Sequence, residues 1–451
     1  GHLQRISADG GSSQKVTTLD AEQGEIRHRG PKLVVGARVV LFSVIFSQLR
    51  DPRIDAVSLD TGERHVVAEN GRDPHYLGSG HLLFQRDETL LVAPFDAASL
   101  TLAGSAVPLI DEVRRDGVDG AGAVPQLVAS HSGTLAYVPA VDTTRALVQV
   151  SRDGAYAALG PAPNRFDHPR VSPNGQYVAF EVLRGQETEI HIHDVVRGTT
   201  SRLTQEGSDF GPSWHPNSRQ LAVSSTRQNV RGIFLKDLNG TERLLVPNPA
   251  ATTNVRNSSW SPDGSVLAYT VQTGDRHDIW VVTAGDKPLA QPLLTGPASE
   301  HTPSFSPDGR WLAYVSDESG RNEVYVRRYP QGDSLAVSSG GGLGPVWGPD
   351  GREIFFQGPY EGAPKLMVVS VATVGDTLRL GKPMPLLDMR VPGSTGAIEQ
   401  YAGSNNGGLR YDVFPDGKRF VMIRGADPQG TREIVLVQNF FEEVRRLAPP
   451  R

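Results

Sequence analysis

The chain has 451 residues with 45 Lys or Arg against 50 Asp or Glu, a net charge of −5. So weakly acidic a balance offers no basic stripe for nucleic acid, and the lack of any cysteine rules out disulfides, thiolate nucleophiles and zinc–thiolate sites. The 49 glycines and 33 prolines are spread between short apolar runs, which reads as many turns rather than disorder.

From the start of the chain, Gly1–Asp20 reads like the tail of a repeat, so the chain is expected to begin inside a larger protein. The longest apolar run, Leu33–Phe46, is interrupted by Gly36 and Arg38 and falls short of the roughly 20 residues of a membrane span. Weak repeat copies follow, with turns at Gly36-Ala37, Gly80-His81 and Ser132-Gly133. The strong copies then begin. Pro-Asp/Asn-Gly stands at Pro173–Gly175, Pro262–Gly264, Pro307–Gly309, Pro349–Gly351 and Pro415–Gly417, with a degenerate copy at His215–Ser218. The prolines at 173, 216, 262, 307, 349 and 415 lie 43, 46, 45, 42 and 66 residues apart, so the last interval holds an insertion, about Ala372–Gly408.

Each copy has one grammar. A short strand (Pro303–Ser306) meets the turn, where Pro presets φ, Asp bonds the following backbone and Gly accepts positive φ. A β-rich strand follows (Trp311–Val315), then a polar loop (Ser316–Asn322), a third strand (Glu323–Arg327) and a fourth near Ser334–Val337. Four antiparallel strands in each ~40–50 residues predict an all-β fold, a β-propeller of four-stranded blades. Nine full copies start near His28, His75, Gln126, His168, Gly211, Asn257, His301, Gly344 and Leu409, with a partial one before them. Single rings usually have 4–8 blades. The preferred division is therefore N-terminal blades over residues 1–159 and a six-bladed ring over 160–451; one large ring is the alternative.

The run Pro303-Ser304-Phe305-Ser306-Pro307-Asp308-Gly309-Arg310-Trp311-Leu312-Ala313-Tyr314 resembles the TolB-like, WD-type repeat. Its continuation to Arg327, with Tyr76–Phe84 and Leu91–Asp96, is similar to the C-terminal propeller region of bacterial eukaryote-like serine/threonine receptor kinases. That resemblance implies a ligand-sensing or protein-binding propeller, extracytoplasmic and part of a larger protein; composition leaves the cytoplasm open. Asp209-Phe210-Gly211 spells the kinase magnesium tripeptide, but no Gly-rich loop, strand lysine or His-Arg-Asp loop accompanies it.

Antiparallel strands send alternate loops to opposite faces. The Pro-Asp-Gly turns share one face. The loops between blades and between second and third strands share the other, and loops on a rigid scaffold are where binding residues sit. That face is expected to carry Asp167, His168, Asp209, Arg256, Glu300 and His301 between blades, and Arg276, His277, Asp317 and Arg321 within them. The bland readings are strong. The turn aspartates are turn formers, and Trp214, Trp260, Phe305 and Trp347 are inter-blade core, each worth roughly 3–5 kcal/mol. His168 and His301, placed alike before Pro169 and Thr302-Pro303, bond neighbouring loops in the bland case. With Asp167, Asp209 and Glu300 they could instead hold a divalent cation, though no cofactor is expected, and the arginines could clamp an anion. There is no Gly-x-Ser-x-Gly elbow, and the repeats leave no room in this chain for an appended hydrolase domain.

The expected function is non-catalytic. The partner would be a small ligand, a peptide or an envelope protein. A metal-assisted carbohydrate lyase and an envelope scaffold are the alternatives.

Overall fold

The computed structural model describes residues 1–34, 36–46, 51–86, 89–111, 113, 115–116, 124–130, 132–139, 144–184, 187–205, 207–227, 230–248, 253–274, 276–285, 287–389, 410–425 and 434–449. The copy starting near Leu409 and the end of the expected insertion, 390–408, touch residues outside this set. The chain forms two compact units, Gly1–Val141 with Gly430–Arg451, and Asp142–Gln429.

The second unit is a six-bladed β-propeller, and its blades are called I to VI from the sequence. Blade I is Phe166–Val171, Tyr177–Arg184, Glu187–Asp194 and Thr199–Arg202. Blade II is Asp209–Trp214, Gln220–Thr226, Arg231–Asp237 and Glu242–Pro247. Blade III is Thr253–Trp260, Val266–Thr273, Arg276–Thr283 and Ala290–Leu294. Blade IV is Glu300–Phe305, Trp311–Ser316, Glu323–Arg328 and Ser334–Ala336. Blade V is Leu343–Trp347, Glu353–Tyr360, Ala363–Val374 and Met384–Asp388, with an extra strand Thr377–Leu380 on the third. Blade VI is composite: Tyr411–Val413 and Arg419–Gly425 pair with Arg145–Ser151 and Tyr156–Ala158 from the other end of the unit. The ring therefore takes its closing strands from upstream of residue 160.

Middle strands such as Trp311–Ser316 are buried along their whole length, as an apolar run covered on both sheet faces must be. What covers them is the next blade. Separate apolar clusters fill the gaps I/II (Trp214 on Ile190), II/III (Trp260 on Ile233), III/IV (Phe305 on Ile279) and IV/V (Trp347 on Val324). Clusters around Phe355 with Phe420, and Phe166 with Val421, fill V/VI and VI/I, which closes the circle. Trp214 and Trp347 also donate their indole N–H to Arg170 O (3.0 Å) and Ser304 O (3.1 Å) of the preceding blade.

The Pro-Asp-Gly turns form a second ring of contacts. A Cβ on Gly175, Gly309 or Gly417 would come within 3.2–3.4 Å of Pro415, Pro262 or Pro349 in the preceding blade. Glycine is thus set there by the neighbour as well as by its positive φ.

The innermost strands carry a β-bulge, with register shifts between Asp167/Arg170, Phe210/Ser213, Arg256/Ser259, His301/Ser304 and Leu343/Val346. In four of them a residue with φ of 46–62° (His168, Gly211, Thr302, Gly344) is followed by proline. Proline has no N–H to lose from the ladder, so a bulge tolerates it. This corrects the expected placement of six residues. Asp167, His168, Asp209, Arg256, Glu300 and His301 lie inside innermost strands, not in between-blade loops. Arg276 and His277 likewise open a third strand. The registers also show that His301 matches Asp167, while His168 matches Thr302.

In the first unit, Glu25–Leu33, Val39–Phe46, Arg53–Ser58 and Arg64–Ala68 form one four-stranded sheet, and Arg72–Leu77, His81–Arg86, Thr89–Asp96, Thr101–Leu102 and Val107–Ile110 the next. The third sheet is Leu127–Ala129, Leu135–Tyr137 and, from the far end of the chain, Val435–Val437. Helix Phe440–Leu447 packs Phe440 and Val444 against Leu77, Leu83 and Leu135.

Candidate functional site

Blade I begins with a buried charged group. His168 Nδ1 lies 2.9 Å from Glu181 Oε2, and Glu181 Oε1 accepts the Gly211 N–H of blade II at 2.7 Å. Burial pulls the His168 pKa down, but Glu181 and Asp167 outweigh it, and the imidazole is held above its ordinary value. Asp167 accepts from Arg145 Nη1 at 2.9 Å, with Arg410 Nε 3.9 Å away. Burial opposes its ionisation, yet His168, Arg410 and Arg145 keep it below the usual carboxylate range. Opposite charges thus meet in one knot across blades VI, I and II. Arg256 is close enough to feel Glu181, but it is 6% exposed, donates to Gln272 Oε1 at 2.5 Å and has its pKa lowered to about 10 by burial. Asp209 is fully buried within blade II, where burial raises its pKa, with Ser225, Thr204 and Arg227 around it. These two are interior polar groups whose named neighbours lie almost entirely within their own blades.

Five of the ten residues converge where blades III and IV meet. Glu300, the first residue of blade IV, is 6% exposed, and its Oε2 has no hydrogen-bond partner. Burial, with the charges of Asp278, Asp317 and Glu318, pushes it up to about 7, against the opposing pull of Arg276. The His301 ring lies 5.5 Å from that of His277 at 61°. Burial and that neighbour push His301 down to about 4, so it is neutral at pH 7. His277 Nδ1 is 3.1 Å from Ser299 Oγ, and Asp317 Oδ1 accepts the Ser299 N–H at 2.8 Å. Arg276 donates to Asp278 Oδ1 at 2.9 Å and to the carbonyls of Thr295 (3.1 Å) and Gly296 (2.5 Å). Arg321 points away, well exposed, 3.9 Å from Glu323.

Asp278 and Glu318 belong to the same within-blade loop segments that the sequence assigns to this face, whereas Glu181 is not among its candidates. Glu181 carried a signal, as a single charge inside the apolar run Tyr177–Leu183. Among the described residues, no three or more His, Asp or Glu are grouped to hold a metal ion, and no helix is long and apolar enough to cross a membrane.

Residues 212–382 match the TolB beta propeller domain family. The chain is 28% identical over 101 residues to the Protein TolB homolog of Chlorobium chlorochromatii, covering 22% of each. It is 32% identical over 124 residues to the Tol-Pal system protein TolB of Anaeromyxobacter dehalogenans, covering 27% of this chain and 28% of that protein. The crystal structure of TolB from Acinetobacter baumannii superposes with a TM-score of 0.44 at 16% identity, over 68% of this chain and 79% of that one. Over residues 212–382 the ring is similar to a TolB propeller. The matches span about a quarter of the curated relatives; the family match runs from blade II into blade V and includes the whole III/IV junction.

Proposed function

We propose that this chain is a non-catalytic interaction propeller that receives a basic side chain of an extracytoplasmic partner at the III/IV junction. The observation that carries this is the Glu300 carboxyl, buried, with one oxygen unpartnered, among Asp278, Asp317 and Glu318. Such a carboxyl is costly alone, and an ammonium or guanidinium placed against it recovers that cost. The relatives named for the Tol-Pal system support an envelope partner. The similarity to receptor-kinase propellers supports the finer reading, in which this ring is the sensing part of a larger receptor. On either reading, Glu300, His301, His277, Asp317 and Arg276 form the contact face, and Asp167 with His168 brace the ring across blades VI, I and II.

The test is calorimetric titration with tetralysine at low and high salt. Saturable binding that weakens with salt, and drops roughly tenfold or more in Glu300→Gln, is the expected result. Absence of binding, or equal binding by wild type and variant, would overturn the reading.

A further inference from the structure

The long interval between Pro349 and Pro415 builds a feature on the turn face, opposite the III/IV junction. The third strand of blade V runs to 12 residues, Ala363–Val374, where the third strands of blades I to IV have 6–8. Its end, Val371–Val374, folds back on Thr377–Leu380 as a separate hairpin. The base of the hairpin is cored: Val371 and Leu378 are buried with Trp311 and Trp347. Its tip is tied to blade IV, where Arg310 Nη2 donates to Asp376 Oδ1 at 2.5 Å and Arg328 Nη2 stands 3.4 Å from the same carboxylate.

Between this hairpin and the turns of blades IV and V lies a cavity of about 580 Å³, lined among others by Asp308, Trp311, Asp350, Arg352, Ala372 and Thr373. That volume is within the ~300–1,000 Å³ of small-molecule sites. The gap is reflected in the turns: a Cβ on Gly351 would stand 3.8 Å from Pro307, wider than at the other turn glycines. Trp311 is 5% exposed, and its indole N–H has no acceptor, whereas that of Trp347 is satisfied. Asp308 and Asp350 each use Oδ1 to hold their own turn.

We propose that this cavity is a binding site for a neutral saccharide unit. The wall offers a guanidinium, two carboxylates and the apolar surfaces of Pro307, Val371 and Ala372. A hydroxylated ring supplies acceptors for the first, donors for the carboxylates and C–H surface for the rest. An anion meets two aspartates, and a flat apolar molecule leaves the polar groups unpaired. The site is independent of the III/IV junction.

The test is calorimetric titration of the whole chain with glucose and with N-acetylglucosamine. Saturable binding of at least one is expected. It should weaken roughly tenfold in Arg352→Ala, which removes the guanidinium from the wall. It should vanish in Ala372→Trp, which fills the cavity from an exposed hairpin position, and stay unchanged in Glu300→Gln. The melting temperatures of the variants establish that they are folded. No binding of either sugar, or binding that both cavity variants leave intact, would overturn the assignment.

Discussion

At the scale of single residues, blade I and the III/IV junction treat charge in opposite ways. Around blade I, Asp167, His168 and Glu181 are matched by Arg145 and Arg410, so burial is compensated. At Glu300 it is not. Its folded pKa of about 7 lies above the ordinary 4.5, so the folded state holds a proton that the unfolded chain has already released between those two values. The native state is therefore progressively penalised as pH rises from about 4.5 to about 7, and fully so above. Glu300→Gln removes the ionisation. It should melt higher than wild type at pH 8, with a gain on the order of 1 kcal/mol after solvent screening, and the difference should shrink towards pH 4.5. Melting curves at both pH values check this; a gain independent of pH would show that the charge is not the cause. His301, whose folded pKa of about 4 lies below its ordinary 6.5, adds stability as pH rises through part of the same window, but it does so in wild type and variant alike, so the difference between them reads Glu300.

At the scale of the element, the innermost strand separates what the sequence makes legible from what it hides. The turn, the buried middle strand and the alternating third strand were readable, because each is a local pattern of φ preference and side-chain period. The bulge was not. A His-Pro or Thr-Pro pair reads as a loop, since alternation breaks and proline removes a donor, and only the register of the partner strand shows that the strand continues. Asp167, His168, Glu300 and His301 were placed in loops for that reason. Asp209 and Arg256, read as a contact face from their polarity, proved interior because the first strand starts earlier than its alternation suggests. The bulge also carries a cost. Thr302 has φ of 53° where blades II and V place glycine, and a β-branched residue is poorly suited to that region. Its hydroxyl lies 2.8 Å from His301 Nδ1, so replacing threonine confounds two effects. Comparing Thr302→Gly with Thr302→Ala separates them, as both lose the hydroxyl and only alanine keeps a Cβ. The glycine variant should be more stable by about 1 kcal/mol, read from urea midpoints. Equal midpoints would mean the backbone there relaxes without strain.

At the scale of the molecule, the count of blades was legible but their closure was not, because pairing between strands about 270 to 300 residues apart leaves no local trace. The copy starting at Gln126 is divided. Its first two strands, Leu127–Ala129 and Leu135–Tyr137, pair with Val435–Val437, while its last two, Arg145–Ser151 and Tyr156–Ala158, complete blade VI. The two repeats have exchanged outer halves, so blade VI and the third sheet of the first unit are each completed by chain from far along the sequence. Seven residue pairs join Arg145–Ser151 to Arg419–Gly425, and Leu147, Val148, Val150 and Leu159 fill the cores on both sides of blade VI. A fragment of residues 160–429 loses all of this, leaving an unpaired edge beside the exposed core residues Phe420, Val421 and Met422. An edge of that kind invites aggregation. A fragment of residues 142–429 keeps every strand of the six blades. The longer fragment should be monomeric with one cooperative thermal transition, and the shorter one should aggregate or melt without cooperativity. Size-exclusion chromatography and circular dichroism read both. If the shorter fragment melted as the longer one does, blade VI would not need its outer strands, and the ring would be held by the inter-blade cores and the chain of turn contacts alone.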